Sequence, residues 1–180
     1  MAASLTTRIP TLVVFDLDAC VWFPEMYQLW GGGAPFEYVA EDNSCTDARG
    51  TSVRLLGAIP EVFEEVRERG GKIAIASRTD EPSWARELLT KFTTVNGNTL
   101  ESLVEGNLTE MYKGSKTKHF ESIRRKSGVP FEDMIFFDDD PANIRDVGSL
   151  GVVSILTPDG VTREAWDRGM EAFALSVSEL

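Results

Sequence analysis

The chain has 180 residues, a length that suits one domain over 1–180 with room for a small insertion. An apolar fraction of 42 % is enough for a real core. A net charge of −11 argues against unaided binding to nucleic acid or to an anionic membrane surface.

Cys20 and Cys45 form no CxxC pair, and His119 is the only histidine, so a zinc site has no support. Both cysteines are expected to be reduced thiols. Met1–Arg8 lacks the apolar stretch of a signal peptide, and no run reaches membrane-spanning length. A cytoplasmic protein is therefore expected, with no membrane partner.

The first predicted strand is Leu12–Phe15, a β-branched apolar run of the kind buried in a parallel sheet. It stops abruptly at Asp16 and Asp18. The segment 21–59 then follows neither a helical nor a simple strand period. It carries Trp22, Phe23, Trp30, three consecutive glycines from Gly31, Phe36, Tyr38 and a turn at Asp47–Gly50. It is too short for a separate cap domain and too aromatic for a linker. We read it as a turn plus a β-hairpin flap over the strand ends, whose aromatics also cover the sheet edge.

Beyond the flap the elements alternate. Pro60 opens a helix to Arg69 that buries Val62, Phe63 and Val66 and ends at Gly70-Gly71. A strand follows at Ile73–Ala76, then a helix over Pro82–Lys91 with Trp84, Leu88 and Leu89 inward. Asn98 and Glu101 read as a capping box for a short helix. Ser115–Lys126 is a helix carrying Phe120 and Ile123, Met134–Phe137 a strand, Pro141–Gly148 a helix and Val152–Leu156 a strand. The last helix starts near Thr162 and presents Trp166, Met170 and Phe173. Strands alternating with helices predict an α/β fold: a three-layer, Rossmann-like parallel sheet flanked by helices, with a minimal cap.

In such a sheet, chemistry sits beyond the carboxyl ends of the strands. Four polar groups reach that edge in order: Asp16 and Asp18, then Ser77-Arg78-Thr79, then Lys113-Gly114-Ser115-Lys116 at a helix start, then Asp138-Asp139-Asp140. Two carboxylates at the first strand end suggest metal-assisted phosphoryl transfer. Each motif alone is weak, and Gly114-Ser115-Lys116 is no Walker loop because the upstream glycine is absent.

Taken together and in this order, the motifs resemble the haloacid-dehalogenase-like (HAD) phosphatase superfamily, and within it the magnesium-dependent phosphatase type 1 group. The carrying stretches are Val14–Asp18, Ala76–Thr79, Tyr112–Lys116, Gly128–Phe131, Phe136–Asp139 and Asn143–Val152, so the resemblance spans nearly the whole chain. It implies Asp16 as nucleophile, forming an aspartyl phosphate, and Asp18 as general acid and then base. Lys116 would bridge phosphate and Asp16, Ser77 would bind a phosphoryl oxygen, and Arg78 would read substrate or pair with an acid. The implied cofactor is Mg²⁺, held by Asp16, the backbone carbonyl of Asp18 and Asp139, with Asp138 as second candidate. Asp140 reads as a helix cap. Lys113 and Lys118 are the local competitors of Lys116, and His119 reads as a helix-surface or packed residue. Such chemistry demands about 20 kcal/mol or more of rate acceleration, which a covalent intermediate helps to supply.

The implied substrates are phosphoproteins, including phosphotyrosine, or small metabolites such as sugar and fructosamine phosphates. The chain departs from the family pattern at Cys20, where the first motif usually has threonine. A thiol is a weak donor, which would loosen the loop around Asp18 and, if accessible, expose it to oxidation. Residues 93–110 also look long and polar for their place. The alternative is a catalytically weakened, phosphate-binding protein of the same fold. A receiver-type phospho-switch has its phosphorylated Asp on the third strand, not the first.

Overall fold

The computed structural model describes residues 8–178; Met1–Thr7, part of the stretch read for a leader, lie outside the described residues. In chain order, β1 (Leu12–Phe15) is followed by β2 (Trp22–Phe23), a 3-10 turn at Met26–Leu29, β3 (Glu37–Val39), β4 (Ser44–Thr46) and β5 (Ser52–Leu55). The alternating part comprises α1 (Ile59–Glu68), β6 (Lys72–Ser77), α2 (Pro82–Lys91), α3 (Leu100–Leu103) and β7 (Val104–Met111). It continues with α4 (Lys116–Ser127), β8 (Met134–Asp138), α5 (Pro141–Gly148), β9 (Val153–Leu156) and α6 (Arg163–Ser178).

Among the described residues the main sheet has five parallel strands in the order β7-β6-β1-β8-β9. Phe15 is in register with Ile75 on one side and Phe137 on the other. Side chains alternate across the sheet as the pleat requires. Val13, Phe15, Ile73, Ile75, Ile135 and Phe137 pack with α1, α2, α6 and the 21–59 segment. Leu12, Val14, Ala74, Ala76, Met134 and Phe136 pack with Phe120 and Ile123 of α4 and Val147 of α5. Both faces are covered, which is why these strands read as unbroken apolar runs.

The helix ends follow the sequence signals. Ser115 caps α4 by accepting from the Lys118 amide, and Gly128 closes it in the left-handed region at φ +72°. Asp140 caps α5 through the Ala142 amide at 2.8 Å. One cap differs: Thr99, not Asn98, caps α3, while Asn98 donates to the buried Glu64 carboxylate at 2.7 Å.

Two segments differ more. The sequence predicts four strands, and β7 is a fifth, inside the long polar stretch 93–110. It lies at the sheet edge, where one flank needs no apolar cover, so Glu105, Gly106 and Asn107 hide its period. The 21–59 segment is more than a hairpin. Among the described residues it is a four-stranded antiparallel sheet, β2-β5-β4-β3, with the 3-10 turn beside it. Its Trp22, Met26, Leu29, Phe36, Cys45 and Val53 belong to the main core, so it cannot swing as a solvent-borne arm.

The fold places β1 at the switch point, with β6 on one side and β8 on the other. Their carboxyl ends therefore open one crevice.

Candidate active site

That crevice is a cleft of about 360 Å³ lined by Asp16, Asp18, Ser77, Arg78, Lys116 and Asp139, with Glu25, Tyr27, Thr79, Asp80, Lys113, Asp140 and Asn143 around them. Asp16 follows β1 directly, and its backbone N–H donates to the Phe137 carbonyl at 3.0 Å, tying the ends of β1 and β8. Ser77 ends β6 and is buried; its hydroxyl accepts from the Thr79 amide at 3.2 Å and keeps its own proton for another acceptor.

Lys116, the first residue of α4, is almost fully buried. Its ammonium contacts Asp16 Oδ1 and the Ala76 carbonyl, and lies 3.0 Å from Asp138 Oδ2. Burial works against its charge, and the carboxylates of Asp16 and Asp138 more than reverse that. The competitors stand elsewhere: Lys113 is an exposed rim residue 3.8 Å from Asp80, and Lys118 is exposed on α4.

Three carboxylates, those of Asp16, Asp138 and Asp139, bring ligand atoms within 4.8 Å of one another. Asp138 is fully buried and already engaged, by Lys116, by the Asp140 amide at 2.8 Å and by the Asn143 amide at 3.1 Å. Asp139 lines the cleft. Burial pushes the Asp16 carboxyl up to about 7, with Lys116 pulling it down and Asp138 adding to the rise. Burial and then Asp138 push Asp139 up to about 6. Crowded carboxylates desolvated in this way, all with oxygen donors, fit a hard divalent cation.

Asp18 stands apart from that cluster. Its Oδ1 accepts from the Trp22 indole at 2.8 Å and its Oδ2 from the Met26 amide at 3.1 Å. Burial raises it to about 6 against those two donors. Cys20 is fully buried, so the oxidation route raised by its sequence position has no access. Its thiol donates to the Phe137 carbonyl at 3.4 Å and lies 3.5 Å from the Thr157 hydroxyl, and burial pushes it well up. Cys45 is also buried and unpaired in any disulfide. His119 is packed, with Nε2 3.0 Å from the Tyr112 carbonyl, and burial followed by Lys116 pushes it down to about 4.

The model of the family described as Acid Phosphatase matches residues 8–176. The chain belongs to the acid phosphatase family. The chain is 38 % identical over 170 residues to magnesium-dependent phosphatase 1 of Homo sapiens, covering 93 % of this chain and 89 % of that protein. It is 32 % identical over 150 residues to a HAD-like hydrolase superfamily protein of Schizosaccharomyces pombe, covering 81 % and 84 %. The fold resembles the N-terminal, phosphatase-containing part of a Bacteroides fragilis protein complexed with Mg, at TM-score 0.60 and 17 % identity over 92 % of this chain and 40 % of that one. It also resembles CbbY of Rhodobacter sphaeroides in complex with phosphate, at TM-score 0.59 and 15 % identity over 86 % and 89 %. The parallel sheet and its helical layers are those of HAD hydrolases.

For three residues around the site, the part they play there is not legible in the sequence. Trp22 and Met26 reach Asp18 only because a tight turn, with Ala19 at φ +60°, folds β2 back onto it. Asn143 shows its use only once α5 is seen to start beside Asp138.

Proposed function

We propose that this chain hydrolyses phosphate monoesters through an aspartyl-phosphate intermediate on Asp16. The observation that carries the reading is the buried ammonium of Lys116, held against Asp16 while Ser77 and Asp139 line the same cleft. A lysine buried between two carboxylates at the sheet's switch point is a costly arrangement for stability alone. It is apt where three phosphoryl oxygens must be met by fixed positive charge and hydroxyl donors.

In this reading an Asp16 oxygen attacks phosphorus as the bond to the leaving oxygen breaks. Asp18 gives that oxygen a proton, then takes one from the water that attacks the aspartyl phosphate and restores Asp16. Ser77 and Lys116 hold the phosphoryl group, and Arg78, exposed at the mouth, contacts the rest of the substrate. The Asp16 carboxylate, the Asp18 backbone carbonyl and the Asp139 carboxylate are the proposed holders of Mg²⁺, since Asp138 is already engaged. Bound there, Mg²⁺ supplies charge that keeps Asp16 ionised and neutralises the transferring group.

The substrate class is a phosphorylated metabolite, such as a sugar or fructosamine phosphate, or a phosphorylated protein side chain, including phosphotyrosine. The cleft is large enough for either and open to solvent. No described helix is long and apolar enough to cross a membrane. The test is release of phosphate from p-nitrophenyl phosphate with Mg²⁺, with EDTA, and by Asp16→Asn. Mg²⁺-dependent release that is lost in the variant is expected; full activity of Asp16→Asn refutes the assignment.

A further inference from the structure

We infer that Trp22 is a positioning residue for Asp18, so that the four-stranded flap sheet sets where the proton of the general acid is delivered. The inference rests on the role of Asp18 proposed above and adds a residue to it.

The geometry begins with the turn after β1. The amides of Cys20, Val21 and Trp22 all point to the Leu17 carbonyl, and the Ala19 amide donates to the Trp22 carbonyl at 2.9 Å. This closes the chain on itself and sets the Trp22 backbone beside that of Asp18. The indole Nε1–H then donates to Asp18 Oδ1 at 2.8 Å, and the Met26 amide, one turn further along the flap, donates to Oδ2 at 3.1 Å. Each oxygen thus has one lone pair engaged, and the plane of the carboxyl group is defined. An acidic proton can reside only on the remaining lone pairs. Asp18 lines the cleft, so those pairs are what it presents to a leaving group.

The donor itself is held on three sides. Trp22 is fully buried, its backbone pairs with Leu55 of β5, and its ring stacks on Phe92 with centroids 6.1 Å apart. A buried indole N–H needs some acceptor. Here that acceptor is a cleft carboxylate rather than a backbone carbonyl, and the flap core that fixes the indole also fixes the acid.

The test varies the leaving group. Departing nitrophenolate needs little protonation, whereas an alkoxide needs a proton as the bond breaks. kcat and KM are measured on p-nitrophenyl phosphate and glycerol phosphate for wild type, Trp22→Phe, Asp18→Asn and the double variant. A further protein carries benzothienylalanine at position 22, which keeps the bicyclic shape and replaces N–H by sulfur, so a folding defect in Trp22→Phe leaves the question answerable. Loss of positioning is expected to lower kcat on glycerol phosphate by about tenfold or more, and on p-nitrophenyl phosphate by less than about threefold. Trp22→Phe is expected not to lower kcat further once Asp18 is Asn. Equal losses on both substrates, or additive losses in the double variant, assign Trp22 to packing and overturn the inference alone. A wild type inactive on both substrates overturns the phosphatase reading and this inference with it.

Discussion

Lys116 Nζ and Asp138 Oδ2 lie 3.0 Å apart with both side chains out of solvent, and the same ammonium reaches Asp16. One cation therefore serves two buried carboxylates. Removing it leaves both uncompensated, which costs far more than the pair contributes when intact. Lys116→Met is expected to lower stability by about 3–5 kcal/mol in urea denaturation without added metal, and to abolish turnover. A loss below about 1 kcal/mol would show that the cluster relaxes by protonation or water entry.

Divalent metal should stabilise the fold through the acid that faces the cleft. At a hundredfold excess over its Kd, Mg²⁺ is expected to stabilise the wild type by about 2.7 kcal/mol, read as a rise in Tm. Asp139→Asn is expected to lose most of that rise. A rise retained by Asp139→Asn would give the metal to Asp138.

Cys20 is fully buried against the Phe137 carbonyl, which also accepts from the Asp16 amide. A threonine hydroxyl is the stronger donor to that carbonyl. Cys20→Thr is expected to leave kcat equal or higher and to change stability by no more than about 1 kcal/mol. A large fall in kcat would mean the thiol has a role that a hydroxyl cannot fill.

Glu64 is buried in α1 and binds Thr94 and Asn98, tying the loop before α3 to the core. Burial raises its carboxyl, and hydrogen bonds from Asn98, Thr94 and Asn96 outweigh this and hold it below the usual carboxylate range. A carboxyl lower in the folded than in the unfolded state stabilises above its unfolded value of about 4.3. That contribution fades as pH falls through the folded value. Glu64→Gln is expected to cost about 1–3 kcal/mol at pH 7. The gap to wild type should shrink toward pH 3, measured by urea denaturation at both pH values. A gap independent of pH would assign the effect to packing.

By itself the sequence determined the sheet interior and the order of the polar groups at its edge. Leu12–Phe15 and Met134–Phe137 are buried on both faces, so their composition alone marks them. Ser115, Gly128 and Asp140 use local backbone chemistry that needs no distant partner. The motif order placed Asp16, Asp18, Ser77, Lys116 and Asp139 at strand ends and a helix start.

Tertiary structure decided the rest. β7 exists because an open edge of β6 recruits it, despite a polar sequence. The 21–59 segment became a four-stranded sheet because Trp22, Phe36, Cys45 and Val53 find their cover as part of the main core. Asp139, not Asp138, faces the cleft with its carboxylate unengaged by Lys116 and Asn143, which both bind Asp138. Trp22 meets Asp18 through a turn whose closure no pattern of hydrophobicity records. Periodicity reports which face is buried; it does not report which side chain from another element completes a hydrogen bond there.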